Sequence, residues 1–93
     1  MTIELASSFL KSYKKRIRHN SKLDHQYAKR IEIFRTNPDN PLLHDHSLVG
    51  SKLGLRAFSI NGDIRVIYSR QEDTFLFYDI GTHNQVYWLT GRA

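Results

Sequence analysis

Arg56-Ala-Phe-Ser-Ile60-Asn61-Gly62-Asp63-Ile-Arg-Val-Ile-Tyr68 is the stretch that decides how this chain folds. Alternating apolar positions on both sides of an Asn-Gly dipeptide are a strong short-range signal for a β-hairpin. A two-residue turn at Asn61-Gly62 would pair Ile60 with Asp63, Phe58 with Arg65 and Arg56 with Ile67. Paired residues share a face and successive residues alternate. One face would then carry Leu55, Ala57, Ile64, Val66 and Tyr68 as core. The other would gather Arg56, Phe58, Asp63 and Arg65, with Ile60 and Ile67 between them. Such a surface suits a phosphate or RNA; a half-buried antiparallel sheet with its charges outside has the same pattern.

Upstream of the hairpin the apolar period is helical. Thr2–Leu5 has the form of a short strand, and Ser7 or Ser8 can cap the helix that follows. Phe9, Leu10, Tyr13 and Ile17 form its apolar stripe, and His19-Asn20 ends it. Ser21 with Asp24 has the form of a capping box for a second helix. That helix presents Leu23, Tyr27, Ile31 and Phe34 and stops near Asn37-Pro38. The short link favours an antiparallel helical hairpin. A loop follows, then Leu42–Gly50 with His44 and His46, and a last strand-like run, Phe75-Leu-Phe-Tyr-Asp-Ile-Gly-Thr-His83. The predicted fold is a single α+β domain over residues 1–93, an N-terminal strand and helical hairpin packed on one face of a small twisted, mainly antiparallel sheet. The other face is expected to stay open. Tyr27, Tyr68, Phe75 and Phe77 are expected in the core, and His19 and His25 in solvent.

The chain has 93 residues, no cysteine and a formal charge of +5, which allows one modest core and excludes disulfide and thiolate chemistry. Its basic pI, about 9.7, favours a polyanionic partner, either nucleic acid or an acidic protein. The charge is concentrated in Lys11, Lys14, Lys15, Arg16 and Arg18, a block suited to RNA contact and equally to a solvated helix face. No apolar run reaches membrane-spanning length, and Met1-Thr-Ile-Glu-Leu5 lacks the pattern of a signal peptide, so a cytoplasmic protein is expected.

Taken together, the order of elements, the Arg56…Arg65-Val-Ile-Tyr68 strand pair and the Gly81-Thr-His83…Tyr87 ending resemble the RelE/ParE superfamily of bacterial toxins. His46-Ser-Leu-Val-Gly50 followed by Leu55-Arg56 resembles its YafQ-like branch. The resemblance covers nearly the whole chain. It implies the toxin of a type II toxin–antitoxin system, a ribosome-dependent mRNA endoribonuclease restrained by a cognate antitoxin, with ribosome and mRNA as its other partners. The antitoxin is expected to be acidic where it touches Lys11 to Arg18. No second ligand cluster and no cysteine accompany His44 and His46, so no metal or small-molecule cofactor is expected. Carried onto this sequence, the family motifs make His46, Asp63, Arg65 and His83 catalytic and place Tyr87 at the C-terminal aromatic position. Ser59 departs from the pattern, because the branch has a histidine there.

Metal-independent RNA cleavage needs a base for the ribose 2′-OH, an acid for the 5′-oxygen and a cation for the transition state. Histidine suits the first two and arginine the third. On this reading His46 and His83 form the acid–base pair in either order, and Asp63 orients one of them or serves as base. Arg65 and Arg56 hold the phosphate, Tyr87 stacks on a base, and Lys11, Lys14, Lys15 and Arg18 contact RNA. Other readings of the same fold are a ParE-like gyrase inhibitor, which has no chemical need for these histidines, and a catalytically silent antitoxin-binding homologue.

Overall fold

The structure, a computed structural model, describes residues 1–50 and 54–86. A five-stranded sheet in the order β1-β5-β4-β3-β2 carries two long helices on one face. The strands are β1 (Thr2–Leu5), β2 (His46–Ser47), β3 (Arg56–Ser59), β4 (Ile64–Gln71) and β5 (Thr74–Thr82). The helices are α1 (Ser7–Arg16), α2 (Ser21–Thr36) and the single turn α3 (His83–Val86). All neighbouring strands run antiparallel except β1 and β5, which pair in parallel from Thr2↔Thr74 to Leu5↔Phe77.

Only Ala6 separates β1 from α1. Its N–H continues the ladder to the Phe77 carbonyl at 3.0 Å, so Ala6 rather than Ser7 or Ser8 is the N-cap. Ser8 instead donates its hydroxyl to the Tyr78 carbonyl at 2.6 Å, tying α1 to β5. The helix ends at Arg16, earlier than His19-Asn20 suggested. Of its expected stripe, Phe9, Tyr13 and Ile17 face the core, while Leu10 is 53% exposed because one short helix offers the sheet only a narrow strip. Asn20 caps α2 by accepting from the Leu23 N–H at 3.2 Å, and Asp24 accepts from the Tyr13 hydroxyl instead of closing a capping box.

Phe34 of α2 is the centre of the core. Its ring stacks on Phe58 at 4.7 Å and meets Phe75, Tyr68 and Phe77 edge-on at 5.1, 5.5 and 5.6 Å. Such geometries add to the transfer energy of the buried rings. Phe9 meets Phe77 at 5.6 Å and anchors α1 to the same strand.

The hairpin register differs by one residue from the sequence expectation. Arg56 pairs with Tyr68, Phe58 with Val66 and Ser59 with Arg65. The Ile60 N–H meets the Ile64 carbonyl at 2.8 Å, leaving a three-residue loop, Asn61-Gly62-Asp63. The cause is the Asn61 side chain, whose Oδ1 accepts from the N–H groups of both Asp63 and Ile64 at 2.8 Å. One residue of slip exchanges the faces. Phe58, Ile60, Ile64, Val66 and Tyr68 therefore pack under the helices. Leu55, Ala57 and Ile67 lie on the opposite face, which is not fully open: α3 covers part of it through Val86, flanked by Leu48 and Tyr78. A β-bulge between Ile67 and Tyr68 of β4 and the facing strand leaves Tyr78 as the extra residue on β5.

The slip moves Arg56 to the helix-bearing face, beside Tyr68. There its guanidinium donates to Asp45 Oδ2 from Nε and Nη2, at 3.2 and 3.0 Å, and to Ser47 Oγ at 2.8 Å. The Tyr68 hydroxyl donates to the other Asp45 oxygen at 2.8 Å. Burial first, then this hydrogen bond, pushes the Tyr68 phenol well above its ordinary pKa, and the hydrogen bond to Asp45 raises that of Arg56. Asp45 thereby fastens the short strand β2 to the sheet. Asp45→Ala is expected to cost about 2–3 kcal/mol, since a phenol and a guanidinium lose their acceptor together. Urea unfolding would measure the loss.

Candidate active site

At the level of Arg65 the second sheet face holds a row across three strands: Gly81, Arg65 and Ser59. Arg65 is half-buried, and its Nε is buried without a hydrogen-bond partner. Ser59 and Gly81 flank it on the neighbouring strands, and a half-buried charged donor at this place suits an anionic oxygen.

Asp63 and His83 lie one residue beyond the last β4–β5 pair, Ile64↔Thr82, and so occupy neighbouring strand ends close to Arg65. Both are exposed. His83 is set at the first position of α3 by a reciprocal cap: Thr82 Oγ1 accepts from the Gln85 N–H at 3.3 Å, and Gln85 Oε1 accepts from the Thr82 N–H at 2.9 Å. Gly81 makes room for this turn, because a Cβ there would stand 2.7 Å from Gln85 Oε1 and 2.9 Å from Arg16 Nη1.

His46 sits elsewhere on the same face. It pairs with Ala57, two residues before Ser59 on β3, and its Nδ1 lies 2.9 Å from the His44 carbonyl oxygen. Three strand spacings, roughly 14 Å, separate the strands of His46 and His83 before any displacement along them. The structure thus brings Asp63, Arg65 and His83 together, sets His46 at the sheet edge and gives Arg56 to Asp45. Lys11, Lys14, Lys15 and Arg18 are exposed on the helical layer, away from the Arg65 face. Tyr87 lies outside the described residues.

Sequence reasoning missed Asp79. It is 1% exposed, and its Oδ1 accepts from Arg16 Nη1 at 3.2 Å and from the Ile80 N–H at 2.9 Å, while Oδ2 is buried without a partner. Arg16 also donates to the Ile80 carbonyl at 3.0 Å, which braces the strand end that delivers His83. The signal was an acid inside the apolar run Phe75–Ile80, a position where carboxylates are rare unless paired. Among the described residues no three His, Asp or Glu side chains converge as a metal site, and no helix is long and apolar enough to cross a membrane.

This fold has structural counterparts among known proteins. YafQ from Escherichia coli BL21(DE3) is 26% identical, covering 91% of this chain and 96% of its own, with a TM-score of 0.67. A metal-bound toxin from Helicobacter pylori is 25% identical over 92% of this chain and 98% of its own, with a TM-score of 0.71. The YoeB/ParE toxin from Agrobacterium tumefaciens, 17% identical over 89% of this chain and 99% of its own, shares the fold with a TM-score of 0.70. No curated protein sequence matches significantly.

The architecture is therefore that of a RelE/ParE-like toxin. The model of the family described as the bacterial toxin of a type II toxin–antitoxin system, YafQ, matches residues 1–87, and the chain belongs to that family.

Proposed function

We propose that this toxin is a ribosome-dependent mRNA endoribonuclease that cleaves by metal-independent acid–base transesterification. The observation that carries the reading is the half-buried Arg65, whose buried Nε lacks a partner, beside the strand ends of Asp63 and His83. Arg65 binds the scissile phosphate and stabilises the charge that develops on it. His83 exchanges a proton with the substrate, Asp63 orients it or polarises the attacking hydroxyl, and His46 completes the set from the sheet edge. Arg56 acts at one remove, holding Asp45 and with it β2. Tyr87 is assigned to stacking on a base.

The basic block Lys11, Lys14, Lys15 and Arg18 supplies the phosphate attraction that docks the protein on RNA of the ribosome. The same block suits an acidic antitoxin. A YafQ that is 27% identical over 91% of this chain, covering 94% of its own and with a TM-score of 0.67, is in complex with DinJ as a toxin–antitoxin pair, which supports a cognate antitoxin here. The proposed setting is the cytoplasm.

Primer extension on a reporter mRNA in a translating extract tests the reading. In-frame cuts are expected with the wild-type protein, and their loss in the His46→Ala/His83→Ala variant. Intact mRNA together with arrested DNA replication in cells would transfer the assignment to gyrase inhibition.

A further inference from the structure

Two histidines flank Asp45, and the family resemblance singled out His46. His44, however, has the better placement. A recess of about 300 Å³ at the outer edge of β3 is lined by His44, Ser59, Asn61 and Gly62, with Arg30 and Leu42 closing it. Ser59 is the direct cross-strand partner of Arg65, so their Cβ atoms lie about 5 Å apart. Gly62 adjoins Asp63. The recess thus opens beside the cluster already described, on the side opposite His83.

The backbone at His44 is a second observation. His44 ends the 3₁₀ turn Pro41–Leu43 with φ 50° and ψ 39°, and its N–H bonds to the Pro41 carbonyl at 3.2 Å. Glycine and asparagine are the usual occupants of such a cap. A histidine held in this conformation at the mouth of a cavity is the kind of local strain found at functional sites. His46 differs in each respect. It lies in the β2 ladder opposite Ala57, and its Nδ1 is engaged by the His44 carbonyl.

We propose that His44 is a further catalytic residue of this toxin, acting as base on a ribose seated in the recess beside Ser59. The inference rests on the ribonuclease reading above. Neutral His44 takes the proton of the 2′-OH at a ring nitrogen, and the 2′-oxygen attacks phosphorus. The bond from phosphorus to the 5′-oxygen breaks, and protonated His83 gives its proton to that oxygen. Arg65 holds the non-bridging oxygens throughout. The products are a 2′,3′-cyclic phosphate and a 5′-hydroxyl, with the protonation states of the two histidines exchanged. An imidazole at position 44 thus does the work that Ser59 cannot, because a hydroxyl is no base near neutral pH.

The test is single-round cleavage of mRNA on programmed ribosomes by the wild-type protein, His44→Gly and His44→Gly/Ser59→His. Glycine accepts the left-handed backbone, so His44→Gly keeps the fold, which circular dichroism and thermal unfolding would verify. If it does not, His44→Asn takes its place, asparagine being the other residue at ease there. Cleavage by the single variant is expected to fall about 100-fold, with partial rescue by added imidazole. Restoring an imidazole across the recess through Ser59→His is expected to recover at least about tenfold. Cleavage by the folded single variant within about twofold of wild type, or a loss that neither imidazole nor Ser59→His repairs, would overturn the role of His44 and leave the ribonuclease reading standing. Absence of cleavage by the wild-type protein would overturn both.

Discussion

Arg65→Ala is expected to slow single-round mRNA cleavage by about two to three orders of magnitude, while ribosome association changes little. The reason is where the charge develops. In the pentacoordinate transition state the non-bridging oxygens carry more charge than in the bound substrate, so a positioned guanidinium acts mainly on the rate. The site supplies that positioning through the place of Arg65 between Ser59 and Gly81 in the sheet and through its buried Nε. Arg65→Lys keeps the charge and loses the planar fork, and a partial recovery is expected. Cleavage rates at saturating ribosome, read beside a sedimentation assay for binding, separate the two effects. A rate within about threefold of wild type in a folded Arg65→Ala protein would remove Arg65 from the mechanism.

The second large effect concerns folding. Phe34→Ala is expected to cost about 3–5 kcal/mol, because truncation leaves a cavity under four rings that cannot all collapse into it. Domains of this size have stabilities of roughly 5–15 kcal/mol, so the variant would stand near the limit of folding. Phe34→Leu, which refills much of the volume, should retain most of the stability. Urea midpoints at constant slope would test both. Equal midpoints for Phe34→Ala and Leu10→Ala would contradict the central place given to this ring, since Leu10 is exposed.

Much of this architecture can be read from residue spacing alone. Strand β1, the order of elements, the stripe Leu23-Tyr27-Ile31-Phe34 and the helical hairpin over a mainly antiparallel sheet follow from apolar periodicity and breakers. What could not be read has three physical sources. The Asn-Gly pair signals a hairpin but not its loop length, which the Asn61 side chain sets by accepting two backbone N–H groups. A warning was present all the same: the two-residue turn would have left Phe58, Ile60 and Ile67 on the wetter face. Strand β2 is two residues long and has no period to detect; side-chain bonds from Arg56 and Tyr68 to Asp45 hold it. The bulge at Tyr78 changes facing within β5, and strict alternation is blind to it.

For the candidate site, motif matching identified residues that register then sorted. Asp63, Arg65 and His83 fall at adjoining strand ends although 20 positions of sequence separate the first from the last. Arg56 belonged to that surface only in the two-residue-turn register, and the one-residue slip removes it to the helix-bearing face beside Tyr68. Asp79 and His44 belong to no motif, and their significance rests on burial and on a backbone angle respectively.

The parallel pairing of β1 with β5 also has a consequence in time. Thr2 finds its partner only at Thr74, and β5 lies inside the sheet, between β1 and β4, while coming last among the described strands along the chain. Contacts so distant in sequence form late. During synthesis, β1 and the helical hairpin leave the ribosome before the strand on which they pack exists outside it. His83, just past the end of that strand, emerges later than Arg65, so the cluster waits for β5. The cluster of Asp63, Arg65 and His83 is thus assembled only once β5 has left the ribosome and paired with both of its neighbours.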